Sequence, residues 1–155
     1  MKKIMFVCHG NICRSPMAEF IFKDLAERYG FKDIFEVCSR ATSREEIRDG
    51  RGNPVYPPAK AELIRHGLSC GDKCAQQVTK EDYGRYDLFV VMDENNVRNI
   101  MRIFGKDPNS KVHKLMDFTD HPGDVADPWY SGDFETTYRD IYSGCKALLK
   151  KLTEN

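Results

Sequence analysis

The sequence predicts an α/β fold: a single three-layer domain over residues 1–155, with a central four-stranded parallel sheet in the order 2-1-3-4 and helices on both faces. Three observations predict the layers and the parallel sheet. Short apolar runs alternate with stretches of helical periodicity along the whole chain. The runs are almost continuously apolar, as strands covered on both faces require. At 155 residues, 41% of them apolar, the chain is long enough for one core and short for two.

The elements follow in order. Lys2 to Cys8 reads as a buried strand. Ser15 and Pro16 open a helix, with Pro at its first position. Met17, Phe20, Ile21, Leu25 and Tyr29 keep helical spacing until Gly30 stops it. Ile34 to Ser39 is a second strand, and residues 40–56, polar and Gly-containing, read as a long loop. Pro57 and Pro58 start a helix that runs to His66, and Thr79 to Tyr83 make one helical turn. Tyr86 to Met92 is the clearest buried strand, and Asp93 caps the helix after it. That helix carries Val97, Ile100, Met101 and Phe104 on its apolar side. Lys111 to Leu115 is a fourth strand, and residues 116–132 are mostly loop. A last helix aligns Phe134, Tyr138, Ile141, Cys145, Leu148 and Leu152 on one face.

Composition removes several function classes. Lys plus Arg equals Asp plus Glu at 24 each, so the basic excess of a nucleic-acid binder is missing. No apolar run approaches the roughly 18 residues of a membrane span. The stretch Ile4 to Cys8 is too short for a signal peptide, so a cytoplasmic location is expected. The six cysteines then read as reduced thiols rather than a disulfide framework.

In an open parallel sheet, ligands sit beyond the carboxyl ends of the strands. Cys8 stands at such an end, followed by His9, Gly10, Asn11, Ile12, Cys13, Arg14, Ser15 and Pro16. With six Cys and eleven Arg in the chain, a Cys-x5-Arg pair arises by chance about 0.4 times. The setting makes the string specific. Gly10 and Asn11 tolerate positive φ, and Arg-Ser-Pro leads straight into a helix. A loop wound before a helix N-terminus aims successive N–H groups at one point, which attracts a tetrahedral anion. Arg14 adds two parallel bonds to phosphate oxygens. The same positive field favours a Cys8 thiolate, helped by the Ser15 hydroxyl, beneath the bound phosphate and poised for in-line attack. The bland alternative is that Cys8 is an ordinary buried cysteine.

The leaving oxygen needs a proton from a general acid. Asp127, stiffened by Pro128, is the candidate, and Trp129 and Tyr130 supply walls for an aromatic slot. Alone, Asp-Pro would read as a simple turn.

The chain resembles the low-molecular-weight protein tyrosine phosphatases over nearly its whole length. Four anchors carry the resemblance: Cys8-x-Gly10-Asn11-x-Cys13-Arg14-Ser15-Pro16; Val78-Thr79-Lys80-Glu81-Asp82-Tyr83; Met92-Asp93-x-x-Asn96; and Asp127-Pro128-Trp129-Tyr130. The resemblance implies hydrolysis of phosphotyrosine without metal or cofactor, through a phosphocysteine on Cys8, with Arg14 as phosphate clamp and Asp127 as general acid and then base. It implies that Asn11, bonded to Ser39, holds the loop's strained turn, that Ser15 assists the thiolate, and that His9, Trp129 and Tyr130 border the entrance. It further implies a reversible disulfide between Cys8 and Cys13. The expected partners are phosphotyrosine proteins or aryl phosphates, with inhibition by phosphate, vanadate and other oxyanions. Nucleic acid and membrane are not expected partners.

The chain departs from the family pattern in three places. Ser39 is followed by Arg40 rather than Ala. The second wall loop reads Ser43-Arg44-Glu45-Glu46-Ile47, with no aromatic, which makes the slot more open and more charged there. Gly71-Asp72-Lys73 stands where members place a His that supports the loop asparagine.

Other readings compete. Thioredoxin-coupled arsenate reductases share the loop and need two further cysteines, for which Cys70 and Cys74 are candidates; the aromatic acid loop speaks against it. Phosphoarginine phosphatases favour Thr where this chain has Ile12. A metal-binding or interaction module would use His66, Cys70 and Cys74, but no fourth ligand is apparent nearby.

Overall fold

The computed structural model describes residues 1–154. Four parallel strands form the sheet: β1 (Lys2–Cys8), β2 (Phe35–Ala41), β5 (Leu88–Val91) and β6 (Val112–Lys114), in the order β2-β1-β5-β6. Counting these four along the chain gives the expected order 2-1-3-4. The register pairs Cys8 with Ala41 and Val7 with Val91, so the carboxyl ends of β2, β1 and β5 finish together.

β1 is buried on both sides, and its side chains alternate between two cores. Ile4, Phe6 and Cys8 face a cluster that includes Met17, Ile21, Phe22 and Leu25 of α1 (Arg14–Arg28) and Ile141, Cys145 and Leu148 of the last helix, α6 (Phe134–Thr153). Met5 and Val7 face Ile100 and Phe104 of α4 (Glu94–Phe104). The two cores, one on each face of the sheet, are the physical content of the three-layer prediction.

Four details differ from the sequence reading. α1 begins at Arg14, which puts Pro16 at the third helical position; its missing N–H still falls in the first turn, where no intrahelical acceptor waits. β2 runs on to Ala41 because it stays paired with β1 up to Cys8. The expected loop 40–56 contains a two-residue hairpin, β3 (Ile47–Arg48) and β4 (Arg51–Gly52), closed by Asp49 and Gly50 at φ of 51° and 75°. A strand that short has no apolar alternation to announce it. The expected loop 116–132 ends in a short helix, α5 (Pro128–Ser131), capped by the Asp127 side chain. The remaining helices, α2 (Pro57–Arg65) and α3 (Asp82–Arg85), lie near their expected positions.

Candidate active site

The loop between β1 and α1 closes on the Cys8 sulfur. The backbone N–H groups of Asn11 and Ser15 both point at Sγ, at 3.3 and 3.4 Å, and the Ser15 hydroxyl oxygen lies 3.0 Å from it. α1 starts here with no side-chain cap, so its first N–H groups and the positive end of its dipole face the loop. Asn11 makes the winding possible. Its φ is +60°, a region that Asn tolerates better than most residues.

Three bonds from one carboxamide hold that conformation. Nδ2 of Asn11 donates to Ser15 Oγ at 2.8 Å and to Ser39 Oγ at 2.9 Å, and Oδ1 accepts from the Gln76 amide at 3.1 Å. Ser39 in turn donates to Glu19, a buried carboxylate, at 2.7 Å. Because Asn11 occupies a lone pair of Ser15 Oγ, the Ser15 proton is left to turn toward a sulfur anion. Lys73 completes this support. It stands where a supporting His was expected to be missing, and its ammonium donates 2.8 Å to the Ser39 carbonyl. Burial pulls the Lys73 pKa down, while Glu19 opposes that pull.

Arg14 is 3% exposed and held from two sides. Nη1 donates to Asp93 Oδ2 at 2.7 Å and to the Val125 carbonyl at 2.8 Å, while Nη2 lies 3.6 Å from Asp127 Oδ2. Burial alone would pull the guanidinium's pKa down; Cys8, Asp93 and Asp127 beside it push it up instead. The sequence reading assigned Asp93 only the cap of α4. That cap exists, through Oδ1 and the Asn96 amide at 2.8 Å, but the second oxygen anchors Arg14, 79 residues away. No local pattern announces such a partner.

Asp127 Oδ1 accepts from the Trp129 amide at 3.0 Å, which leaves Oδ2 toward Arg14. Cys8, His9, Gly10, Ile12, Cys13, Arg14, Asp127, Trp129 and Tyr130 line one open cavity of about 250 Å³, together with Glu45 and Glu46. Tyr56 packs on Trp129 with ring centroids 4.8 Å apart, support that the sequence reading missed. His9 pairs with Glu45 at 2.9 Å. Burial first, and Cys8 next, push the Cys13 thiol up to about 12.

Ser39 stays outside the cavity and acts only through Asn11. Cys70 is buried and Cys74 exposed, and neither lines the cavity. His66 stacks on Tyr138 with centroids 3.7 Å apart and lies 3.4 Å from Glu62. Among the described residues no three His, Cys, Asp or Glu side chains come together as a metal site, so His66, Cys70 and Cys74 do not form one.

The family model for low molecular weight phosphotyrosine protein phosphatase matches residues 3–155. The chain belongs to this family. It is 35% identical to the low molecular weight protein-tyrosine-phosphatase YfkJ of Bacillus subtilis, over 98% of this chain and 96% of that one. The YfkJ crystal structure superposes with a TM-score of 0.91. It is 36% identical to the human low molecular weight phosphotyrosine protein phosphatase, covering 97% of this chain and 95% of the relative. It is also similar to Bacillus subtilis YwlE, an arginine phosphatase, at 28% identity and TM-score 0.83, covering 99% of this chain and 97% of that one.

Proposed function

We propose that this member of the tyrosine phosphatase family hydrolyses phosphotyrosine in two steps. One observation carries the assignment: a cysteine sulfur facing two backbone amides and a serine hydroxyl shares its cavity with a buried arginine and a carboxylate. Phosphate docks above Sγ, its oxygens held by the loop amides and Arg14. The Cys8 thiolate attacks phosphorus, and Asp127 protonates the phenolic oxygen as it leaves. Asp127 then takes a proton from water, which attacks the phosphocysteine and releases phosphate. Negative charge on the equatorial oxygens is met by the same fixed donors in both steps.

The reading extends to surroundings and regulation. The enzyme works in the cytoplasm, and inorganic phosphate, vanadate and other oxyanions compete for the cradle. Under oxidation Cys13 closes a reversible disulfide on Cys8, which spares the nucleophile from further oxidation.

A second reading, phosphoarginine hydrolysis, is favoured by the likeness to YwlE. Ile12 and the exposed aromatic pair Trp129 and Tyr130 favour a phenyl ring instead. Hydrolysis of phosphotyrosine, phosphoarginine and phosphoserine peptides, with arsenate reduction measured in parallel, separates the candidates. Phosphotyrosine should be turned over at least ~100-fold faster than phosphoserine, as walls built for a planar ring imply. A phosphoarginine rate above the phosphotyrosine rate would replace the reading. So would turnover that persists in Cys8→Ser.

A further inference from the structure

We infer that Glu45 and Glu46 make this enzyme select phosphotyrosines flanked by a basic side chain. The inference rests on the phosphotyrosine reading above and adds the chemistry of the neighbouring residue.

The two sides of the cavity mouth differ in kind. Trp129 and Tyr130 form one side, and Glu45 and Glu46, between β2 and β3, form the other. Contacts with the loop hold both glutamates at the mouth. Glu45 Oε2 sits 2.9 Å from His9 Nε2, with 71% of its side chain still exposed. Glu46 crosses the phosphate loop so closely that a Cβ on Gly10 would stand 3.3 Å from its Cγ. Its carbonyl accepts from the Asn53 amide at 2.8 Å, which pins the backbone. The Glu46 charge reaches Cys13 inside the loop, where it is one of the influences raising that thiol. The arginines of the same stretch, Arg44, Arg48 and Arg51, are not among the residues that line the cavity.

The phosphate lies deeper, on Arg14 and the loop amides. A peptide whose phosphotyrosine enters against Trp129 lays its backbone across the mouth, and a flanking side chain meets the glutamates. An Asp or Glu there would add a third carboxylate to the two at the mouth. An Arg or Lys gains an ion pair instead, and the arginine fork matches a carboxylate in geometry. Rim charges are screened, so the preference is moderate and sensitive to salt.

The test uses two peptides that differ only in carrying Lys or Glu on both sides of phosphotyrosine. At ~20 mM NaCl the natural enzyme should show a kcat/KM on the order of tenfold higher for the Lys peptide, and at ~0.5 M NaCl a ratio near one. Glu45→Gln with Glu46→Gln should bring the low-salt ratio near one. Equal rates at low salt, a preference for the Glu peptide, or a ratio unchanged in the double variant would overturn the inference. Should the double variant fold poorly, the salt series on the natural enzyme still decides. Failure of the phosphotyrosine reading looks different: neither peptide releases phosphate at any salt concentration.

Discussion

Asn11 and Ser39 are joined by a 2.9 Å hydrogen bond that ties the strained turn of the phosphate loop to the interior of β2. The bond spans 28 residues, and both side chains are buried. It makes the loop's shape a property of the sheet rather than of the loop alone.

Asn11→Ala therefore removes the contacts to Ser15, Ser39 and Gln76 while leaving a non-glycine residue at φ of +60°. We expect kcat/KM for an aryl phosphate to fall by about 100-fold and stability to drop by about 2–4 kcal/mol. Asn11→Gly relieves the backbone strain only, so it should regain about 1 kcal/mol in denaturant unfolding with little recovery of activity. Full recovery by Gly would show that strain, not bonding, was the issue.

Asp93 serves two partners at once, Arg14 through Oδ2 and the Asn96 amide through Oδ1. Asp93→Ala should lose about 1 kcal/mol from the lost helix cap, and more because the buried guanidinium loses its nearest carboxylate and keeps only the Val125 carbonyl and the more distant Asp127. Asp93→Asn keeps the capping oxygen and loses the charge facing Arg14. Its thermal midpoint should recover only the share that belongs to the cap, while kcat/KM stays about tenfold down because Arg14 is no longer fixed for phosphate. Equal kinetics for Asn and Asp would remove Asp93 from the positioning of Arg14.

Asp127 caps α5 with one oxygen and faces the cavity with the other. Asp127→Ala should slow substrates with basic leaving groups by about 100- to 1,000-fold, and those with acidic phenols by far less. A plot of log kcat/KM against leaving-group pKa steepens in the variant if Asp127 donates the proton. An unchanged slope would assign the acid elsewhere.

Burial and the neighbouring Cys8 charge push the Cys13 thiol up to about 12, so at neutral pH it is protonated. After peroxide converts Cys8 to its sulfenic acid, Cys13 must lose its proton to displace hydroxide and close the disulfide. With Cys8 oxidised its charge no longer contributes, but burial still holds the Cys13 thiol above its usual range, so its thiolate grows about tenfold per pH unit toward pH 9. Disulfide closure should thus accelerate from pH 7 to pH 9, measured by quenching and mass spectrometry. Thiol should then restore activity. Cys13→Ser should be inactivated without recovery, and recovery equal to the natural enzyme would defeat the protective disulfide.

The parallel sheet and the loop from Cys8 to Arg14 as a candidate anion site were legible in the residues alone. Near-continuous apolar runs place strands in a doubly covered sheet, and Gly10, Asn11 and the Arg14-Ser15-Pro16 helix start are local signals readable within nine residues. Asp127 was legible as a candidate acid for the same reason, because Pro128 and two aromatics follow it directly. How the site is held emerges from the packing of distant elements. Asp93, Glu19, Lys73 and Gln76 reach the loop or its support from other elements, through contacts that carry no sequence period. The short hairpin of β3 and β4 belongs to the same class, since Gly52 lies so close to Ala75 that a Cβ there would stand 1.9 Å from the Ala75 carbonyl oxygen. Local propensity fixes which backbone a segment prefers; which side chains meet is set by the packing of distant segments, and that information is not local.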